Sequence, residues 1–368
     1  MLTAGITRSA PDVPEQPDAS ETFDAVLLAS FGGPEGTDEV IPFLRKVTAG
    51  RNIPDERLQV VGEHYFHFGG VSPINAINRA LRSRLSDALA ARGLDLPVYW
   101  GNRNWQPLLG DVAGQMVDDG VRRALVLATS AYGGYSACRQ YHEDIATAVD
   151  ATHGQLTLEK LPQTYHSDAF AQINADAVTR ALGELGRAEF DPTTRLVLTA
   201  HSVPTSANDE SGPSGKLYQQ QLEVAAAEIA MRVGAPTWDI AWQSRSGAPH
   251  VPWLEPDICE HLRTLPEQGV TAVVVAPIGF ISDHMEVIWD LDTEARAQAD
   301  ELGLQMARAA TASDDDRFVE LYVDLIAARL GGSAQPGTYC DPLQGVIGVG
   351  VNGAPCAPGC CTAARADD

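Results

Sequence analysis

The sequence has no apolar run long enough to cross a membrane. Its best candidate, residues 272–281 (AVVVAPIGFI), is about half the length that a bilayer requires and predicts a buried strand instead. The first residues also lack the basic start and the apolar stretch of a signal peptide. We therefore expect residues 1–21 to form a disordered leader and the protein to be cytoplasmic.

Positive charge is scarce. The chain has 26 Lys and Arg residues against 49 Asp and Glu residues, which gives a formal net charge of -23. Because nucleic-acid phosphates require a basic surface, this balance argues against a nucleic-acid partner. The acidic surplus keeps the chain soluble and can attract cations towards a suitable cleft.

Nucleotide-binding motifs are also missing. Two glycine-rich turns, FGGPEG at residues 31–36 and YGGYSA at residues 132–137, follow predicted strands. Neither matches G-x-G-x-x-G or G-x-x-x-x-G-K-[ST], the patterns that place backbone N–H groups around phosphates. We therefore expect no nucleotide cofactor.

Cysteine is sparse and unevenly placed. Of the six cysteines, four lie in the last 29 residues: Cys340, Cys356, Cys360 and Cys361. Three explanations for this crowding are open. The thiols have no function in a disordered tail, they form a local disulfide, or they hold a metal or an iron–sulfur cluster. Structural disulfides are rare in the cytosol, which favours the metal hypothesis. Cys259 lies in a helix-like stretch and is interpreted as a small buried hydrophobic residue.

The remaining sequence alternates short apolar runs with longer helix-like stretches. Continuous Val, Leu and Ile runs are typical of strands that are buried on both faces of a parallel sheet. A chain of 368 residues also exceeds the usual size of one core. We predict an α/β fold of two Rossmann-like doubly wound parallel-sheet domains, residues 22–165 and 166–332, that face each other across a cleft. A cysteine-rich tail, residues 333–368, follows.

Polar side chains at predicted strand ends indicate metal handling. His201 directly follows the run RLVLTA, a position where an isolated histidine is more often structural. Glu286, Asp290 and Glu294 are spaced four residues apart, so on an α-helix they share one face and repel each other unless a cation neutralises them. Imidazole and carboxylates without thiolates suit a labile divalent ion better than a structural zinc.

Aromatic residues crowd the same strand ends and include Phe31, Tyr141 and Trp253. Any one of them could be an ordinary core residue. Together with Arg103 and Ser72, they predict a binding site for a flat, apolar ligand that carries carboxylates.

The sequence resembles the ferrochelatases, specifically the actinobacterial type, over residues 23–330. The blocks that carry the resemblance occur in order: LLASFGGPEG, HYFHFGGVSPIN, GNRNWQP, TSAYGGYSAC, LTAHSVP, AWQSRSG, PWLEPD and IGFISDHMEVIWDLD. Ferrochelatases have two Rossmann-like domains and insert Fe²⁺ into a porphyrin held between them, without a nucleotide. A cobalt or nickel chelatase of similar bilobal fold is disfavoured by GNRNW and by the cysteine tail.

The resemblance implies roles for the metal-site residues. His201, in LTAHSVP, is expected to be the metal-site histidine and the proton acceptor. Glu286, in SDHMEV, is expected to face it across the porphyrin as a second catalytic and metal-binding group. His284 is its neighbour in the same motif, and Asp290 and Glu294 resemble the acidic row that carries metal towards the site.

The resemblance also implies substrate contacts. Ser72 and Tyr141 match substrate-contacting positions, and Arg103 and Trp253 complete the predicted set. Phe31 occupies the position beside the iron where some relatives carry Tyr or Met, so its side chain offers no ligand atom.

Some ferrochelatases hold a [2Fe–2S] cluster with one body cysteine and three tail cysteines. The matching residues are Cys138, Cys340, Cys356 and Cys361, with Cys360 as the alternative to Cys361. A zinc site built from the same residues is possible but lacks two opposed C-x₂₋₄-C pairs. Such a site would hold the tail against the first domain.

The actinobacterial type is associated with coproporphyrin III as substrate and Fe-coproporphyrin III (coproheme) as product in heme synthesis. The alternatives are a protoporphyrin IX ferrochelatase that makes protoheme directly, and a non-catalytic tetrapyrrole or iron carrier. Coproporphyrin III has four propionates, so it is water-soluble and need not be delivered from a membrane. We therefore expect a cleft mouth without exposed apolar residues, with basic residues such as Arg45 and Arg57 facing the propionates.

No stable membrane insertion is expected. We predict a monomer that makes transient contacts with the preceding and following enzymes of heme synthesis.

Overall fold

The computed structural model describes residues 22–50, 53–247, 250–331, 348–357 and 359–363. The predicted leader, residues 1–21, lies outside the described residues. So do the first part of the predicted tail, including Cys340, and the last five residues of the chain.

The first half of the chain forms a parallel sheet. Its strands are β1 (Ala25–Ser30), β2 (Val98–Asn102), β3 (Arg123–Ala128) and β4 (Thr157–Lys160). They are arranged in the order β2-β1-β3-β4, with β1 in register with both β2 and β3. Every residue of β1 is buried, as expected for a central strand covered on both faces.

The second half repeats this plan. Its strands are β5 (Thr194–His201), β6 (Trp238–Gln243), β7 (Ala272–Ala276) and β8 (Gln305–Arg308). All pairings are parallel, in the order β6-β5-β7-β8. The predicted α/β class with two parallel sheets is confirmed.

The helices connect successive strands. They are α1 (Thr37–Val47), α2 (Asp55–His67), α3 (Ile74–Ala91), α4 (Leu109–Asp118), α5 (Gln140–Ala151), α6 (Asp168–Glu184), α7 (Thr205–Asp209), α8 (Leu217–Arg232), α9 (Ile258–Thr264), α10 (Met285–Val287), α11 (Arg296–Glu301) and α12 (Asp316–Arg329). Two π-helical segments, Tyr135–Arg139 and Ile288–Ala295, lead into α5 and α11.

The largest hydrophobic core runs through both halves of the chain and includes Leu81 of α3, Phe170 of α6 and Phe318 of α12. Ion pairs add to this contact, since Arg92 of the first half reaches Glu320 of α12 at 2.7 Å. The last helix of the second half thus packs against the first half and joins the two sheets.

The tail returns to the first sheet. Strand β9 (Gly350–Val351) pairs antiparallel with β4, so it forms the outer strand of that sheet. Asn352 strengthens the contact by exchanging two hydrogen bonds with Leu158, at 2.8 and 2.9 Å. The described residues 350–352 of the tail thus lie against the first sheet.

Candidate active site

His201 is the last residue of β5 and lies at the carboxyl edge of the second sheet. The Tyr218 hydroxyl donates a 2.9 Å hydrogen bond to its backbone carbonyl. Its Nδ1 is hydrogen-bonded to the carbonyl oxygen of Ser202. Because a carbonyl can only accept, Nδ1 carries the proton and Nε2 keeps its lone pair free for a metal or a proton.

Glu286 faces that lone pair. Its Oε2 lies 3.8 Å from Nε2 of His201 and 4.0 Å from Nδ1 of His284. These gaps exceed hydrogen-bond length but suit a divalent ion bonded to nitrogen and oxygen at roughly 2.0–2.2 Å each. Burial lowers the pKa of His284, which keeps its imidazole neutral and able to bind metal. The structure thus brings His201, His284 and Glu286 together.

The metal-handling capacity of this group is limited. Within the described residues, no three His, Cys, Asp or Glu side chains are arranged to hold a metal ion together. Pairs such as His201 and Glu286 therefore offer weak, open coordination. Such coordination suits an ion that must leave quickly.

The predicted acidic row begins at Glu286 and continues along the π-helical segment. Asp290 accepts hydrogen bonds from Ser244 and Gln243. Burial, together with the nearby charges of Glu286 and Glu294, raises the pKa of Asp290 to about 7. The three carboxylates therefore lie close enough to repel each other, as predicted.

The winding of this segment differs from the predicted α-helix. Residues 288–295 form a π-helix, whose repeat joins residues five apart. Trp289 accordingly donates a 2.8 Å hydrogen bond from Nε1 to Oε1 of Glu294. Single π-turns are frequent at functional sites, where they alter the direction in which side chains point.

The raised pKa of Asp290 gives a prediction for stability. Its folded-state pKa of about 7 exceeds its ordinary value of 3.8, so the folded protein binds the proton more tightly than the unfolded chain. Stability should therefore fall as pH rises from about 4 to about 7 and then level off. Asp290→Asn removes the charge, and we expect it to stabilise the protein at pH 8 by up to about 4 kcal/mol, with little effect near pH 4.

Thermal unfolding at the two pH values measures this difference. Asp300→Asn, at an exposed carboxylate of α11, is the matched control and should show no such dependence. Equal effects of Asp290→Asn on stability at both pH values would contradict the raised pKa of Asp290.

His64 and Trp289 were missed by sequence reasoning. The two rings stack with centroids 4.0 Å apart and planes 7° apart, so α2 of the first half lies against the acidic row. Burial lowers the pKa of His64, while Glu294 and Glu286 oppose that shift. The sequence signal that could have pointed to His64 was the HYFHF block, residues 64–68. That block was used only as evidence of the family resemblance.

The predicted substrate contacts differ in accessibility. Phe31 is 37% exposed and its ring meets Phe43 edge-on at 6.4 Å, so it can contact a flat ligand. Ser72 and Tyr141 are only 3% and 4% exposed. Trp253 has a buried indole N–H without a hydrogen-bond partner within the described residues.

Arg103 is already engaged within the protein. Its Nε donates to Asp144 at 2.6 Å, and its guanidinium lies 4.4 Å above the ring of Tyr141. The guanidinium therefore screens Tyr141, and a carboxylated ligand would compete with Asp144 for its charge. The structure does not bring Tyr141 and Ser72 to an accessible surface beside Phe31.

The glycines of the FGGP turn allow close approach near Phe31. Gly32 has a φ of +83°, and a Cβ there would lie 2.8 Å from Cβ of Asn102. A Cβ on Gly33 would lie 2.7 Å from Cβ of Ser72. Larger residues at these positions would displace β2 or the segment before α3.

Exposed apolar side chains lie on or beside α2. They are Ile53, Val60, Phe68 and Val71, and we call them the apolar lip. The expected cleft mouth without exposed apolar residues stays a prediction. Arg45 is not free for propionates, because its guanidinium pairs with Asp55 at 2.6 Å.

Within the described residues, no helix is both long enough and apolar enough to span a bilayer. The exposed apolar residues of the lip therefore do not form part of such a helix.

The described tail thiols converge with the body cysteine. Cys360 lies between Cys356, at 3.7 Å between sulfurs, and Cys361, at 3.5 Å. Hydrogen bonding with Cys360 lowers the pKa of Cys356 to about 6 and that of Cys361 to about 7. Burial raises the pKa of Cys138 to about 11, and the charges of Cys356 and Cys361 add to that shift.

All five described cysteines are free, so no disulfide joins them. Cys259 is only half-buried and packs beside a separate core of the second half, so the prediction of a buried hydrophobic residue holds in part. Burial raises its pKa to about 12, which leaves it unreactive.

Comparisons with known proteins agree on one family. The family described as Ferrochelatase matches residues 23–330. The coproporphyrin III ferrochelatase of Mycobacteroides abscessus is 52% identical over 92% of this chain and 98% of its own length. The protein of the same name from Streptomyces coelicolor is 50% identical over 95% of this chain and 96% of its length.

Among solved structures, SirB from Bacillus subtilis with Fe3+ has a TM-score of 0.51 and 10% identity, covering 84% of this chain and 96% of that one. This likeness shows a shared fold. The family match and the close relatives both extend across the two sheets and the His201–Glu286 pair. This chain belongs to the ferrochelatase family.

Proposed function

We propose that this protein inserts Fe²⁺ into coproporphyrin III in the cytoplasm, which gives Fe-coproporphyrin III for heme synthesis and releases two protons. The observation that carries the proposal is the free Nε2 lone pair of His201, 3.8 Å from the Glu286 carboxylate. The names of the relatives at 52% and 50% identity support the choice of substrate.

His201 acts as the proton acceptor. Metallation requires that the porphyrin lose two pyrrole protons. The neutral imidazole of His201 can accept one proton at a time at Nε2, and because its side chain is partly exposed it can release the first to water before it takes the second. The hydrogen bond from Nδ1 to Ser202 fixes the tautomer that leaves Nε2 free. Tyr218 holds the backbone of the same residue, so the base is positioned before the substrate arrives.

Glu286 and the acidic row handle the incoming ion. Carboxylates and neutral imidazoles bind Fe²⁺ and let it exchange, so the ion can pass from Glu294 and Asp290 towards Glu286 and His284. The ion is the substrate of the reaction, and its water is replaced stepwise by these groups. At low pH protonation of Asp290 would weaken this route.

The substrate choice has a direct test. We expect kcat/KM for coproporphyrin III to exceed that for protoporphyrin IX by about tenfold or more, because the additional propionates can form charge-assisted hydrogen bonds. Side-by-side steady-state kinetics with Fe²⁺ measure this ratio. A non-catalytic carrier would bind both porphyrins and metallate neither.

The exposed apolar lip favours a second candidate, protoporphyrin IX. Ile53, Val60, Phe68 and Val71 could contact a more apolar porphyrin or a membrane that delivers it. A higher kcat/KM for protoporphyrin IX would make it the substrate and would overturn the assignment to coproporphyrin III.

A [2Fe–2S] cluster is also proposed. Thiolates are the ligands of such a group, and the lowered pKa values of Cys356 and Cys361 make these two thiols suitable donors. Among the described residues alone, no three cysteines are arranged to hold a metal ion. Cys138, Cys356 and Cys361 would hold it with Cys340, and Cys360 could replace Cys361. When bound, the cluster would supply a one-electron redox centre. Zinc held by the same thiols is the alternative.

The organisation proposed for the chain is two domains, residues 22–165 and 166–332, followed by the tail. We further propose a monomer that contacts its pathway neighbours transiently.

A further inference from the structure

The described tail reaches the second half of the chain through one thiol. Sγ of Cys361 accepts a 3.2 Å hydrogen bond from the backbone N–H of Gly212. Thr362 adds a hydrogen bond to Glu210 in the same loop. The tail therefore touches the loop between α7 and α8, as well as the first sheet.

That loop cannot move without moving the start of α8. Gly212 has a φ of +74°, and a Cβ there would lie 2.6 Å from Cβ of Leu217. The Leu217 N–H bonds to the Ser211 carbonyl at 3.1 Å, and the Tyr218 N–H bonds to the Ser211 hydroxyl at 3.1 Å. Ser211 itself is completely buried. A displacement at Gly212 is thus transmitted to Leu217 and Tyr218 through close packing.

Tyr218 carries the contact to the candidate catalytic histidine. Its hydroxyl bonds to the carbonyl oxygen of His201 at 2.9 Å. Its ring is 6% exposed and lies 6.0 Å from the ring of Trp242 on the neighbouring strand. The side chain is therefore held on both sides and spans the distance from the loop to the end of β5.

We propose that Tyr218 is a positioning residue through which the docked tail, anchored by Cys361, sets the orientation of the His201 imidazole. This inference rests on the proposed role of His201 in iron insertion. It assigns the cysteine-rich tail an effect on the rate of insertion, because the described part of the tail touches the loop that leads to Tyr218.

A double-mutant cycle tests the coupling. The four proteins are the wild type, Cys361→Ala, Tyr218→Phe and the double variant, each with ¹⁵N-labelled histidine. The His201 resonances are assigned by comparison with His201→Ala. We expect both single variants to shift the His201 ring resonances and to lower kcat by about 2- to 30-fold with KM for porphyrin unchanged. In the Tyr218→Phe background, Cys361→Ala should add little.

Tyr322→Phe is the matched control. It removes the hydroxyl of a buried tyrosine of α12 that donates a 3.4 Å hydrogen bond to the Ala128 carbonyl, so it costs a bond of the same kind elsewhere. We expect it to leave the His201 resonances and kcat unchanged. If Cys361→Ala does not fold, Ser211→Ala replaces it, because this variant removes the acceptor of the Tyr218 N–H.

Unshifted His201 resonances in Cys361→Ala, or fully additive losses of kcat in the double variant, would overturn the coupling. If the proposed function itself is wrong, the experiment gives a result that differs from a loss of coupling. A wild type that inserts no iron contradicts the enzymatic assignment, while the spectra of the same four proteins still decide whether the tail positions His201.

Discussion

Replacing His201 with alanine is expected to abolish iron insertion while porphyrin binding persists. The variant loses the imidazole that faces Glu286. A hydrogen bond on its Nδ1 leaves the Nε2 lone pair free. Loss of a positioned base typically lowers the rate about 10²- to 10⁴-fold. Phe31 and the other cleft residues are unaffected, so the dissociation constant for porphyrin should change little.

Two measurements separate catalysis from binding in this variant. Metallation is followed by the porphyrin absorption change, and binding by quenching of porphyrin fluorescence without iron. His261→Ala is the control: His261 lies 3.1 Å from Asp239, at the opposite end of the second sheet. Turnover near the wild-type rate in His201→Ala would remove the histidine from the mechanism, whereas equal losses in both variants would indicate general damage to the fold.

The strands could be predicted because burial leaves a local trace in the sequence. Residues 25–30 and 272–276 are wholly buried, so each position must be apolar or small, and a run results. The short strand β4 left no such trace: it contains Glu159 and Lys160, which are buried but paired or hydrogen-bonded. Strand β9 has only two residues, and its pairing with β4 depends on contacts distant in sequence.

The site could be predicted only in part, because only some of its residues leave a local trace in the sequence. His201 and Glu286 follow strands or lie in motifs, so their neighbours along the chain mark them. Tyr218 and His64 act through contacts with residues that are distant in sequence, and no local spacing reveals these. The exposure of Tyr141 also depends on Arg103, which covers its ring.

The cysteines give the second large effect. The proposed [2Fe–2S] cluster would give the purified protein a reddish-brown colour and an EPR signal on reduction. Cys138→Ser is expected to remove both, because a hydroxyl is a poor substitute for a thiolate ligand. The variant should also lose stability. The cluster would link position 138 to Cys356 across a long loop, and losing such a cross-link costs about 2–5 kcal/mol for a disulfide.

Cys259→Ser is the control for that experiment, since this thiol packs beside a different core and lies away from the tail. Its colour and EPR signal should match those of the wild type, so a change confined to Cys138→Ser reports on the thiol group itself. Cys360→Ser compared with Cys361→Ser then identifies the fourth ligand, because the two sulfurs are 3.5 Å apart and only one would be needed with Cys340. A colourless wild type with one equivalent of zinc would show that the thiols bind zinc and would refute the cluster.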